Sequence, residues 1–226
     1  MGYEWDFAIV FRDFDLLLLG LVNTLKVTGF ALLFGVPLGL VLALARLYGF
    51  AVIRIPVGFV IEFLRSTPPI AQLFWFFFAM PLLLDIEIDP FEAAVITFSL
   101  QSSAFFAEVF RGGIASIDSG QWEASKALGM ERNAQLRRII LPQAIKRMVP
   151  AFMERAIEVM KTTTLVGTIS YADLLYEANS IAEETYRYLE VFTVAAGMYF
   201  VVIFICSMGV RYLEHYLGRT GEITTG

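Results

Sequence analysis

Long apolar runs alternate with short polar connections along the chain, and the first extends from Leu16 to Ala45. It exceeds the ~20 residues that a helix needs to cross a bilayer. Asn23, Thr24 and Lys26 interrupt its first part. The pattern therefore divides there, with Leu16 to Asn23 at the membrane interface and a first spanning helix over roughly 24–45, whose Lys26 reaches the headgroups from the outer end. Pro37, flanked by Gly35 and Gly39, predicts a bend or a close approach by a neighbouring helix.

A second apolar region, about 56–84, is split by Ser66-Thr67-Pro68-Pro69. Two consecutive prolines remove two backbone donors, so the helix has to kink or open, with its freed carbonyls facing protein or water and not lipid. The aromatic stretch Phe74 to Phe78 reads as lipid contact and helix packing. A third span is expected over 91–110. It carries Thr97, Ser99, Gln101, Ser102, Ser103 and Glu108, a polar load that suits the middle of a bundle. Beyond a polar stretch over 111–147, a fourth span is expected at 150–169, with Arg155, Glu158 and Lys161 embedded along it. The fifth, over 191–210, is flanked by Tyr186, Tyr188 and Tyr212 as an aromatic belt.

Composition turns this pattern into a class. Of 226 residues, 58% are hydrophobic and only 17% charged, with a mean hydropathy of +0.67. That is too apolar for a soluble domain, so residues 1–226 read as one all-α integral membrane domain. The net charge of -5 argues against nucleic acid as a partner. Single residues of each type, Cys206 and His215, exclude a disulfide framework and a Cys- or His-rich metal site. Glu4, Asp6, Asp13 and Asp15 against Arg12 reverse the charge of a secretory leader, so the first apolar segment is expected to stay in the mature chain.

The charges also sort by side. The connections after the first and third spans and the tail are basic, the tail through Arg211, His215 and Arg219; the N-terminus and the connections after the second and fourth spans are acidic. The positive-inside rule then places the N-terminus outside and the 111–147 region and C-terminus in the cytoplasm.

Within that cytoplasmic region, Gln121 to Leu128 is helix-compatible, with Glu123 near the start, where a negative charge suits the helix dipole. Gly129 is a natural stop, and a second helix is expected from about Glu131 to Ile140, ending before Pro142. The product is a compact knob. From composition alone it is either a connector resting on the membrane or a surface for a soluble partner.

The spacing discriminates between these. Glu123-Ala124-Ser125, three residues, Gly129, nine residues, Ile139, one residue and Leu141-Pro142 resemble the EAA-x3-G-x9-I-x-LP signature of membrane subunits of ABC importers, which fixes seven positions across 20 residues. Ser125 in place of the second alanine is the one departure, and it keeps a small side chain there. Further stretches look like the polar amino acid permeases, the histidine, glutamine, glutamate and arginine branch of the type I importers. These are Gly20-x3-Thr24-Leu25, Arg65-Ser66-Thr67-Pro68 with Gln72, Ala107-Glu108-x2-Arg111-Gly112-Gly113-Ile114 with Gly120-Gln121, and Lys161-Thr162-Thr163-Thr164-Leu165. Ser66 stands where that branch commonly has glycine.

The resemblance implies a five-helix permease core acting as a dimer of identical or homologous subunits in the bacterial inner membrane. Its partners would be two ATPase subunits, which bind ATP and Mg, and a periplasmic or lipid-anchored solute-binding protein. The permease itself hydrolyses nothing and holds no cofactor. Glu123, Ala124, Ser125, Ala127, Leu128 and Gly129 would dock the ATPase.

Charges within spans cost at least ~2.5–3.5 kcal/mol on insertion scales unless partnered or wet. Glu108 and Arg111, three apart, read as a helix-end ion pair. Arg155, Glu158 and Lys161 share one helix face, lining a pathway or forming a structural network. Arg65 beside the proline break suits a carboxylate. The residues expected along a substrate path are Arg65, Thr67, Pro68, Gln72, Gln101, Ser102, Glu158, Lys161 and Thr162. The competing readings are a type I permease for another small solute, a secondary transporter that needs no ATP, and a membrane scaffold.

Overall fold

The computed structural model describes residues 3–219, with side chains over 3–212; His215 and Arg219 of the expected basic tail lie outside the described side chains. All regular secondary structure among the described residues is helical. A short α1 (Ala8–Arg12) leads through Asp13 into α2 (Phe14–Tyr48). With 35 residues, α2 is roughly 52 Å long. The division expected at Asn23 does not occur. Asn23 donates to the Ala172 carbonyl at 2.9 Å, and the Thr24 hydroxyl accepts from the Leu174 N–H at 3.2 Å. These polar residues fasten α2 to a loop, so they need no helix end. Gly20 makes room for that loop: a Cβ there would stand 2.8 Å from the Asp173 carbonyl oxygen.

Next come α3 (Ala51–Ser66), α4 (Pro69–Phe74), a π turn over Trp75–Ala79 and α5 (Met80–Leu84), with the axis bent by 106° between Ser66 and Pro69. The expected kink is therefore a sharp corner. The central helix α6 (Pro90–Ala115) starts in a complete capping box. Asp89 accepts from the Glu92 N–H at 2.8 Å, Glu92 accepts from the Asp89 N–H at 3.2 Å, and Pro90 occupies the first helical position. The helix runs past the expected end at Phe110 through Gly112 and Gly113.

The remaining elements are α7 (Ser119–Ala127), α8 (Arg132–Gln135), a π turn over Leu136–Ile140, α9 (Leu141–Thr162), a 3₁₀ segment over Thr163–Ile169, α10 (Leu174–Thr185) and α11 (Tyr188–Arg219). The helix expected to stop before Pro142 instead runs on into α9. Both π turns end two residues before a proline, Pro81 or Pro142. A proline ring crowds the carbonyl four residues back. That carbonyl, of Phe77 or Arg138, sits mid-way through the widened turn, which accommodates the ring without ending the helix.

Among the described residues, three helices are long and apolar enough to cross a membrane, namely α2, α6 and the Tyr188–Tyr212 part of α11, and the bent α3–α5 pair makes a fourth when counted as one span. The fourth span expected at 150–169 is different in kind. It is α9, too charged to qualify, followed by the 3₁₀ segment. Helices in lipid gain nothing from hydrophobic exclusion against one another, so they associate through close packing. Here Ala31, Gly35, Gly39 and Ala43, each four residues apart, form a buried stripe on α2. A Cβ on Gly35 would stand 2.1 Å from the Ser102 hydroxyl, and one on Gly39 2.8 Å from Phe106 Cβ. Thr97, Ser99, Ser102 and Ser103 are buried on α6, and the hydroxyls of Thr97, Ser102 and Ser103 bond carbonyls of the preceding turn. The central position expected for this helix is thus its position in the fold.

Asp173 packs against α2 nearer its N-terminal end, beside Gly20. Its carboxylate caps α10 by accepting from the Tyr176 N–H at 2.9 Å, and the Tyr199 hydroxyl lies 3.4 Å away. Burial pushes its carboxyl from 3.8 up to about 6, against the lowering effect of the backbone N–H groups and Tyr199. The folded protein thus holds a proton there that the unfolded chain has already lost between those two values, so stability is fully present below the lower one and falls as pH rises through the upper. Asp173→Asn keeps an acceptor for the cap and removes the buried charge. The variant is expected to melt at a higher temperature than wild type at neutral pH, with the decline between pH 4 and 6 flattened. Thermal scans of the detergent-purified complex at stepped pH measure this, and an unchanged decline would contradict it.

Candidate functional site

Two features bear on function: a polar cavity within the helices, and the knob at the far end of α9. The cavity begins at the corner between α3 and α4. In an unbroken helix the Leu64 carbonyl would accept from residue 68, but Pro68 has no N–H. Gln72 supplies the missing donor, its amide bonding the carbonyls of Leu64 at 2.8 Å and Thr67 at 3.2 Å. Gln72 is therefore buried behind the corner, and does not line the cavity where it was expected. The fixed corner presents Arg65, Thr67 and Pro69 to a space of about 240 Å³.

Two helices complete its wall. Gln101, Ser102, Phe105 and Phe106 come from α6, and Arg155, Glu158, Val159 and Thr162 from α9. Positions separated by three or four share a helix face, so α6 and α9 each contribute one stripe. Six of the nine residues expected along a substrate path thus meet in one place. Pro68 and Lys161 do not; both are exposed, and Lys161 is not the partner of Glu158. Glu158 pairs instead with Arg155.

Phe105, which sequence reasoning missed, lies at the centre. The Arg155 guanidinium stands 4.3 Å from its ring centroid and that of Arg65 5.5 Å, an arrangement in which the ring quadrupole holds both cations. Arg65 also lies 3.4 Å from Glu62, while its Nε is buried without a partner. Arg65, Phe105 and Arg155 further line a second cavity of about 470 Å³ that continues toward Gly112, Gly113 and Arg147. Glu108 borders this space. One of its oxygens takes Arg111 at 2.7 Å and the other takes Arg46 of α2, so the expected helix-end pair is a three-residue bridge between helices. Helical periodicity from Gln101 and Ser102 would have found Phe105 and Phe106, each four residues on.

The knob is built by capping. Asp118 accepts from the Gly120 N–H at 2.7 Å to start α7. At its end, the Gly129 N–H bonds the Lys126 carbonyl at 3.0 Å and the Met130 N–H the Ser125 carbonyl at 3.2 Å, the paired bonds of a Schellman motif. Gly129 has φ +72°, which side chains with a Cβ rarely adopt. Ser125 is buried and bonds the Trp122 carbonyl at 2.9 Å, whereas Glu123, Ala124, Ala127 and Leu128 face outward. Leu128 is 79% exposed. Ile139 packs on a cluster of Ile117, Ile140, Ala144 and Met148, which seats the knob on α9.

A bent, proline-broken helix thus faces a polar cavity, and α9 joins that cavity to a helix–glycine knob whose outward face carries Glu123, Ala124, Ala127 and Leu128. Residues 35–216 match the family described as "Binding-protein-dependent transport system inner membrane component", and the chain belongs to it. Similar proteins include the arginine transport system permease protein of Bacillus subtilis (strain 168), 34% identical over 94% of this chain and 97% of its own length. The glutamine transport system permease protein of Escherichia coli (strain K12) is 34% identical over 93% and 97%. Among solved structures, an amino acid ABC transporter with histidines superposes at a TM-score of 0.90 with 34% identity, covering 95% of this chain and all of that one. The inward-facing MetNI methionine ABC transporter, at 20% identity and a TM-score of 0.74, shares the fold.

Proposed function

We propose that this chain is the translocating subunit of an ATP-driven importer of polar amino acids, embedded in the bacterial inner membrane with its N-terminus outside and its knob in the cytoplasm. Membership of the family carries the class, and the convergence of Arg65, Gln101, Ser102, Arg155, Glu158 and Thr162 on one cavity carries the substrate reading. An amino acid zwitterion needs a cation for its carboxylate, an anion for its ammonium, and hydrogen-bonding groups for a polar side chain. Arg65 or Arg155, Glu158, and the Gln101, Ser102 and Thr162 groups supply these. The relatives that transport glutamine and arginine by name support the same substrate class.

The five spans are then α2, the bent α3–α5 pair, α6, α9 with its 3₁₀ extension, and α11. Arg155 and Glu158 of α9 are tolerated because they face the cavity, where water and partners replace lipid. A second permease subunit, two ATPases that bind ATP and Mg, and a solute-binding protein complete the assembly. The outward face of Glu123, Ala124, Ala127 and Leu128 docks an ATPase, and closure of the ATPase pair moves this face to alternate access to the cavity.

Gly129→Val puts a β-branched residue at a positive φ, an arrangement that costs about 1–2 kcal/mol and disrupts the cap. Together with Glu123→Ala it is expected to reduce co-purification of the P-loop ATPase, or to leave ATP hydrolysis uncoupled from uptake. Pull-down and ATPase assays on the reconstituted complex measure both. Unchanged attachment and unchanged stimulated hydrolysis would remove the knob from this role. Competition uptake with a panel of amino acids tests the substrate class, and no competition by any of them would redirect it to another solute.

A further inference from the structure

The N-terminal segment carries a feature that neither the cavity nor the knob explains. Residues 3–7 read Tyr-Glu-Trp-Asp-Phe, and the segment has no helical structure. In an extended chain successive side chains alternate sides, so Tyr3, Trp5 and Phe7 fall on one face and Glu4 and Asp6 on the other. The rings confirm this: Trp5 stacks on Phe7 at 5.6 Å with planes 4° apart, and Tyr3 meets Trp5 edge-on at 5.6 Å. All three rings are exposed, as is Phe11 of α1.

The segment is held there. Glu190, at the start of α11, is fully buried, and its carboxylate accepts from the Tyr3 hydroxyl at 2.5 Å and from the Asp6 N–H at 3.1 Å. Arg187 lies 3.4 Å from the same carboxylate and donates to the Glu4 carbonyl at 2.9 Å. Val10 of α1 is buried against Leu17 of α2, Leu174 and Ala178 of α10, and Val191 of α11. A charged group withdrawn from solvent is thereby committed to fixing the backbone of an otherwise solvated segment.

We propose that Tyr3, Trp5 and Phe7 form an aromatic ledge that rests in the headgroup–acyl boundary of the outer leaflet, clasped to α11 through Glu190. One observation and two general physical rules select lipid as the occupant. The segment is clasped at Glu190, next to exposed Leu189 of α11, and leads through α1 into α2, where Leu16 and Leu19 are exposed, so it adjoins the ends of two helices long and apolar enough to span. Tyr and Trp bodies with polar edges favour that boundary. An extended segment with backbone groups open to solvent cannot enter the hydrocarbon, so the ledge lies at the interface and no deeper. Glu4 is exposed and Asp6, half-buried, accepts from the Ala8 N–H at 3.0 Å, and two carboxylates beside the ledge suit zwitterionic and not anionic headgroups.

The inference is independent of what the cavity carries. Its test uses the whole transporter in nanodiscs of zwitterionic lipid, with the Trp5 fluorescence taken as the difference between wild type and Trp5→Phe. Bromine placed near the headgroup end of the acyl chain is expected to quench most of this component, bromine near the chain end much less, and aqueous iodide little. Quenching by iodide without quenching by brominated lipid would overturn the proposal. So would protection from iodide that arises only when the solute-binding protein is added, which would make the ledge a protein-docking surface. Tyr3→Phe removes one clasp bond and is expected to red-shift the Trp5 emission and open it to iodide; an unshifted spectrum would overturn the role of Glu190.

Discussion

Arg65→Ala is expected to lower uptake by about 10- to 150-fold, the equivalent of losing a hydrogen bond to a charged group worth ~1.5–3 kcal/mol. The complex should still assemble. Arg65 stands at the α3–α4 corner, but the corner itself is held by Gln72 and by the Thr67 N–H to Phe63 carbonyl bond at 3.1 Å, neither of which involves the Arg65 side chain. Arg65→Lys keeps the charge without the planar fork and should fall between the two. Uptake by proteoliposomes holding the assembled transporter, normalised to the amount of complex, gives the ratio. An alanine variant that transports at the wild-type rate would take Arg65 off the path.

A second substitution should act on assembly and not on transport. Gly39→Leu places a Cβ 2.8 Å from both Phe106 Cβ and the Ser103 carbonyl oxygen, and the latter is backbone that cannot rotate away. Overpacking typically costs ~1–3 kcal/mol, and a clash with rigid backbone belongs at the upper end or beyond. The expected result is loss of monodisperse complex on size exclusion in detergent. Gly29→Leu on the same helix is the control, since no atom lies within 4 Å of a Cβ there. Equal yields from the two variants would mean that the α2–α6 contact is not a packing interface.

Much of this architecture was legible because membrane proteins write their elements in long runs. The apolar runs announced α2, α6 and α11, the two prolines announced the corner, and the polar load of the 91–110 stretch announced its central place. The errors share one physical cause: a polar or proline residue was read by its local effect when a distant partner decided the outcome. Asn23 and Thr24 looked like a break, but the Ala172 carbonyl and Leu174 N–H absorb their polarity. Pro142 looked like a terminus, and a widened turn carries the helix past it. Gln72 looked like a ligand-binding amide and is the substitute for a missing backbone donor. Arg155, Glu158 and Lys161 looked like one face by spacing, whereas Arg155 and Glu158 pair with each other at the cavity and Lys161 is exposed outside it.

The continuous path through the Leu136–Ile140 π turn has a mechanical consequence. From Arg132 to Thr162 there is no loop, so the strip that seats the knob and the strip that bears Arg155 and Glu158 belong to one stiff lever. The knob helix α7 rests on this lever through the Ile117, Ile140, Ala144 and Met148 cluster, so under the proposed coupling a push on the knob would be carried to the cavity as tilt, with the Phe105 stack on neighbouring α6 as the contact against which it is felt.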